Sequence, residues 1–262
     1  MLLAAAVLGI AALFAMFEFQ SHLIFPVHAV PPAGPLPPGA ERLSVETKDG
    51  HKLAGIHISA AMPAKEKLLI LGFGGNAWNG QDVAEYLHQI FPEAEVVAFH
   101  YRGYAPSTGS PSAGALIADA PLIYDAAVKH VKPSQVITVG MSIGSGVAAQ
   151  LASQRSLDGL ILVTPFDSLK LVAQSMYPWI PIGPFFEHEL DAATLLEKAK
   201  LPVAIVAAER DEIVPRERTE ALRARVGHLV FDRTIGGAGH NDIYARSELH
   251  AAMREALNCL KA

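Results

Sequence analysis

Six near-continuous apolar runs, most followed by a helix-forming stretch, restrict this chain more than any other feature. They are "KLLILGF" (67–73), "EVVAFH" (95–100), "QVITVG" (135–140), "DGLILVTP" (158–165), "PVAIVAA" (202–208) and "HLVFDRTI" (228–235). A strand apolar on both sides must be covered on both sides, and helical stretches at 81–90, 112–131, 144–154 and 216–226 supply the cover. The pattern predicts an α/β fold with a mainly parallel sheet and helices on both faces. Ahead of it, "RLSVETKDGHKLAGIHIS" (42–59) alternates apolar and polar residues on either side of Asp49-Gly50. That is a hairpin signal, and it adds antiparallel strands at one edge, for eight strands in all.

The length of 262 residues suits one large domain, placed at 43–262. What precedes it differs in kind. Residues 2–17 carry no charge, and as a helix they would span roughly 24 Å, a little less than a bilayer core. The first 20 residues are therefore expected to form an uncleaved single-pass membrane anchor. A signal peptide cut near "VHA" (27–29) and a helix packed on the domain are the alternatives. No Lys or Arg precedes Arg42, so orientation is undetermined. Residues 21–42, with "PPAGPLPPG" at their centre, read as an extended spacer holding the domain off the membrane.

Charge excludes one class of partner. The net charge is −5 with no basic block, so nucleic acid is not expected. Cys259 cannot form an internal disulfide and reads as a small buried hydrophobe in the last helix. A monomer is expected.

In parallel α/β sheets, ligands gather beyond the carboxyl ends of the strands. There the third apolar run ends in Gly140-Met141-Ser142-Ile143-Gly144, a G-x-S-x-G sequence set between a strand and a helix. Such a turn lifts a serine hydroxyl to its apex, where it can act as a nucleophile if a base removes its proton and a third group orients the base. Of 11 histidines, His240 follows the last strand in a glycine-flanked loop and is the candidate base, ahead of His100. Asp211, after the strand at 202–208, is the candidate acid, with Asp167 as the alternative. Glu209 and Asp242 are expected to be solvated. Backbone N–H groups of Ile143 and of Asn76, in the loop "GFGGNAW", are candidate oxyanion donors.

Two rival readings are weaker. The G-x-G-x-x-A pattern of dinucleotide sites occurs twice, at Gly72 and Gly144, but neither match is followed by a clean ribose-binding acid. A membrane-tethered binding module without catalysis would be signalled by a missing serine, acid or histidine, and all three are present.

Taken together, "GFGGNAWN", "HYRGYAPSTGSPS", "GMSIGSG", "RDEIVP" and "GAGHND" resemble the α/β-hydrolase superfamily, and within it the membrane-anchored Bem46 and ABHD-type serine hydrolases. The likeness covers about residues 43–260. It implies a Ser142–Asp211–His240 triad, acyl transfer to water through a serine acyl-enzyme, and no metal or organic cofactor. The chain departs from the family pattern twice: Gly74 stands where a histidine usually opens the oxyanion loop, and His100 replaces an acid two residues before Arg102. The segment "SLKLVAQSMYPWIPIGPFF" is the only room for a cap. Its Tyr177, Trp179 and Phe185 are candidate pocket residues favouring an apolar acyl ester, thioester or lipid over a peptide. A serine peptidase is the remaining alternative.

Overall fold

The computed structural model describes residues 20–62, 65–178 and 186–261. Eight strands form one sheet: β1 (Ala40–Glu46), β2 (Lys52–Ile58), β3 (Leu68–Phe73), β4 (Glu95–Phe99), β5 (Gln135–Met141), β6 (Gly159–Val163), β7 (Val203–Ala208) and β8 (Leu229–Ile235). Their spatial order is β1-β2-β4-β3-β5-β6-β7-β8, parallel from β4 onward, with β1 and β2 antiparallel at one edge. The turn between β1 and β2 holds Gly50 at φ 82°, the left-handed conformation that a glycine adopts without strain.

Side chains alternate across the strands, and the two faces of the sheet build two cores. From β3 and β6, Leu69, Leu71, Leu160 and Leu162 enter one, while Leu68, Ile70, Ile161 and Val163 enter the other. The first is covered by α2 (Ala113–Val131) through Leu116 and Ile123, and by α3 (Ile143–Ala152) through Val147 and Leu151. The second is covered by α1 (Gly80–Ile90) through Val83 and Leu87, and by α7 (Ser247–Lys261) through Leu249 and Met253. Shorter helices follow later strands: α4 (Leu169–Met176), α5 (Ala192–Leu196) and α6 (Arg216–Arg223). Side-chain caps start several helices: Asn79 accepts from Asp82 N at 2.9 Å, and Ser112 accepts from Ala115 N at 3.0 Å.

Two expectations need correction. The proline-rich segment does not run away from the domain; it lies along it. Phe25 is 1% exposed and belongs to the first core. The carbonyls of Pro31, Gly34 and Pro35 accept from Asn79 Nδ2 and Gln81 Nε2 at 2.9–3.2 Å. Proline cannot donate, but its carbonyl accepts well, so a proline-rich segment can be tied down from the domain side. Cys259, in turn, is exposed, because it falls on the outer face of α7 between the buried Leu257 and Leu260. The apolar run expected to be a membrane anchor lies outside the described residues, among which no helix is long and apolar enough to cross a membrane.

Candidate active site

β5 delivers Ser142 through a turn that only particular residues can make. Ser142 sits at φ 52°, ψ −120°, a conformation costly for any residue with a Cβ. The glycines around it are required by space. A Cβ on Gly144 would lie 2.1 Å from the Phe73 carbonyl oxygen, and one on Gly140 would lie 2.5 Å from that of Gly144. The strained turn is held from both sides: Ser142 N donates to Val163 O at 2.9 Å, and Ser145 N donates to Ser142 O at 2.8 Å.

His240 Nε2 lies 2.9 Å from Ser142 Oγ, and His240 Nδ1 lies 2.9 and 2.8 Å from the two carboxylate oxygens of Asp211. An ionised carboxylate only accepts, so Nδ1 carries the proton. Nε2 is then the acceptor for the serine hydroxyl, the tautomer that a general base requires. Both side chains are buried, at 4% exposure for His240 and 7% for Asp211. Asp211 is fixed by its own loop, since Oδ1 also accepts from Ile213 N at 3.0 Å and Val214 N at 2.7 Å. Asp167 is occupied elsewhere. Its Oδ1 accepts from Ser168 N at 2.9 Å and its Oδ2 pairs with Arg218 at 3.3 Å, while burial holds its carboxyl above the ordinary range.

Around Ser142 opens a cavity of about 340 Å³, lined by Gly75, Asn76, Ala77, Trp78, Ile213, His240, Asn241 and Tyr244. Gly75 packs against the serine, where an added Cβ would come within 3.7 Å of Ser142 Cβ. The loop that contains Gly75 is braced on two sides. The Tyr101 hydroxyl donates to Gly74 O at 2.8 Å, the Tyr104 hydroxyl donates to Asn76 O, and Asn76 Nδ2 donates to Ile24 O at 3.1 Å. Gly74 cannot take over the side-chain role of a histidine; the two tyrosines hold the loop by its carbonyls. Ile143 is the first residue of α3, so its N–H is among the donors that a helix leaves without an intrahelical partner.

Other expectations fare differently. Tyr177 ends α4, is 39% exposed and does not line this cavity; Trp179 and Phe185 lie outside the described residues. Glu209 and Asp242 are exposed, as expected, and each also ties the loop around His240, Glu209 by accepting from Gly237 N and Asp242 by pairing with Arg246. The acid missing at position 100 is replaced from elsewhere: Arg102 makes a two-pronged pair with Asp119 on α2 at 3.0 and 2.6 Å and a second pair with Asp49. His100 is buried beneath Gly80, whose N–H donates to its Nδ1 at 3.3 Å, and burial lowers its pKa to about 4.

Several contributors carry no sequence signal of their own. Glu212 Oε2 accepts from His240 N at 3.0 Å, and nothing in "RDEIVP" distinguishes Glu212 from a solvated neighbour of Asp211. Tyr244 shares a 2.9 Å hydrogen bond with Thr164 Oγ1 and stacks edgewise on Trp78; burial holds its phenol above its ordinary pKa, so it stays a neutral hydroxyl. Tyr101 and Tyr104 were visible in "HYRGY", though not their reach to the glycine loop.

Residues 68–193 match the family described as alpha/beta hydrolase fold. An uncharacterized protein of Mycobacterium tuberculosis is 31% identical over 222 residues, 81% of this chain and 78% of that one. The chain belongs to the α/β-hydrolase family. Within the family it falls among the Bem46 and ABHD proteins. The bem46 protein of Schizosaccharomyces pombe is 28% identical over 218 residues, covering 76% of this chain and 72% of its own. The lysophosphatidylserine lipase ABHD12 of Danio rerio is 30% identical over 213 residues, 69% of this chain and 56% of that protein. Among solved structures, a Pyrococcus furiosus esterase superposes with a TM-score of 0.71 at 18% identity, over 89% of this chain and 97% of that one. At that identity the likeness shows the α/β-hydrolase fold alone.

Proposed function

We propose that this hydrolase cleaves carboxylic ester or thioester bonds of small apolar acyl substrates through a covalent Ser142 intermediate. The observation that carries the reading is the unbroken series Asp211–His240–Ser142, each link within 2.9 Å, aimed into a cavity from a strained turn. His240 Nε2 takes the hydroxyl proton as Ser142 Oγ bonds to the carbonyl carbon. The carbonyl π electrons move to oxygen, and the backbone N–H groups of Ile143 and Asn76 stabilise that oxyanion. When the electrons return, the bond to the leaving oxygen or sulfur breaks and His240 hands it the proton. Water then enters. His240 takes a proton from it, the hydroxide adds to the acyl carbon, and collapse expels Ser142 Oγ, which is reprotonated by His240. Asp211 keeps Nδ1 protonated and stabilises the imidazolium formed in each half-reaction.

Trp78, Ile213 and Tyr244 support an apolar acyl or alcohol group. The cavity stands near the lower end of the usual range for small-molecule sites, which favours short chains. The test is a fluorophosphonate probe, together with a series of acyl esters and thioesters of increasing chain length. Wild type is expected to label and to turn over the short members fastest. Ser142→Ala is expected to keep its fold and lose both. Turnover by Ser142→Ala at the wild-type rate would overturn the reading, and absence of labelling in the wild type would support a binding module instead.

A further inference from the structure

At the sheet edge opposite the candidate active site, four titratable side chains from β1, β2, β4 and α2 converge. Glu41 and His57 are directly opposed in the β1–β2 register, which brings their Cβ atoms about 5 Å apart on one face of the hairpin. His57 is also paired with Val97, so Glu95, two residues earlier on β4, projects from the same face. His130 comes from the last turn of α2, where the helix carbonyls favour a cation.

The bonding between them is unusual for a structural histidine. His57 Nε2 donates to Glu95 Oε2 at 2.8 Å, and that one bond satisfies the ring's proton. Its other nitrogen, Nδ1, is therefore a lone pair, and it faces a second imidazole, His130 Nε2, at 3.1 Å. His130 Nε2 is also 3.3 Å from Glu41 Oε2. All three atoms lie within 4.8 Å of one another. Two ligands of a tetrahedral ion with metal–ligand bonds near 2.05 Å are separated by about 3.3 Å, so two of the three spacings already match.

We propose that Glu41, His57 and His130 bind a divalent transition-metal ion, with zinc the best-matched ion. Two imidazoles and one carboxylate are a donor set suited to zinc, with solvent completing the fourth position. Glu95 supplies the carboxylate that holds a ligating histidine by its far nitrogen and fixes its tautomer. The site is built and reachable: the His57 side chain is 8% exposed and that of Glu95 11%, while Glu41 at 61% and His130 at 35% open it to solvent. Lys67 stands at its border, 3.6 Å from the other oxygen of Glu95, and neutralises one of the two carboxylates. Without the ion, a proton from His130 occupies the gap between the rings. With it, β1, β2 and α2 are cross-linked through one atom.

The experiment uses the full chain, stripped with a chelator and dialysed, then titrated with zinc by calorimetry and by thermal melting. One zinc per chain and a raised Tm are expected. The exposed ligands allow clean variants: His130→Gln and Glu41→Gln should each weaken binding by at least tenfold, and Glu95→Gln by about 10- to 100-fold through the second carboxylate. His240→Ala should bind zinc as the wild type does. The proposal fails if wild type shows neither heat nor a Tm shift, or if His130→Gln and Glu41→Gln bind unchanged. It also fails if only His240→Ala loses binding, which would put the ion at Ser142.

Discussion

Replacing Asp211 by Asn tests the proposed relay at its most informative atom. The side chain has a fixed orientation, because Oδ1 accepts two backbone N–H groups, from Ile213 and Val214. In Asp211→Asn the carbonyl oxygen must stay on those donors, so the new amide nitrogen takes the place of Oδ2, 2.8 Å from His240 Nδ1. The carbonyl oxygen left at Oδ1, 2.9 Å from Nδ1, has lost the carboxylate's charge. The amide N–H at Oδ2 donates and opposes a proton on Nδ1, so the other tautomer is favoured. The imidazole proton then moves to Nε2, where it points at Ser142 Oγ and blocks the general base. The loss expected for an orienting acid replaced in this way is about four decades in kcat, or about 5 kcal/mol of transition-state stabilisation. The assay is single-turnover acylation with a chromogenic short-chain ester, alongside a melting curve to show that the fold persists. Asp167→Asn is the control, expected to lose less than tenfold, since Asp167 pairs with Arg218 and not with His240. A large loss in Asp167→Asn with near-normal turnover in Asp211→Asn would refute the reasoning.

Three further outcomes are expected. Gly144→Ala drives a Cβ to 2.1 Å from the Phe73 carbonyl oxygen, so it should cost about 3 kcal/mol or more in denaturant unfolding and abolish ester turnover. His100 is favoured as the neutral form in the folded chain, with a pKa near 4 against an ordinary 6.5. Its stabilisation is therefore complete above about pH 6.5 and is lost as pH falls towards 4; His100→Gln should flatten that acid limb by up to about 3 kcal/mol, measured as urea stability against pH. Deleting residues 1–38 should destabilise the domain by about 3–5 kcal/mol, because it removes the buried Phe25, whereas deleting residues 1–19 keeps Phe25 in place. Equal melting temperatures for the two truncations would contradict this.

Much of the architecture could be read from local pattern because it is locally caused. Runs such as Leu68–Phe73 are apolar on both faces and can only be central strands, and the turn around Ser142 needs glycine wherever backbone approaches backbone. What escaped the sequence was decided at a distance. Asp167 and Asp211 both follow strands, and only the direction of each loop sends one to His240 and the other to Arg218. The family pattern puts an acid two residues before Arg102, but here Arg102 pairs 17 residues along the chain, with Asp119 on α2. Proline content alone signals stiffness, not attachment, and it is the carbonyls and Phe25 that bind the proline-rich segment to the domain. The β1–β2 pairing could be guessed from Asp49-Gly50, but nothing local says that His57 meets His130 across 73 residues.

The way residues 20–35 lie along the domain bears on where the catalytic mouth can point. A free linker of 22 residues would let the domain wander over about 25 Å from its attachment and turn in any direction. Here Ile24 holds Asn76, a residue of the cavity wall, and Ser21 Oγ lies 2.8 Å from His188 Nε2, so the segment is a mount and not a leash. Residue 20 is therefore held at a set distance and bearing from Ser142. The N-terminal segment and the loop beside the serine are thereby tied to each other directly, through the hydrogen bond from Asn76 to Ile24.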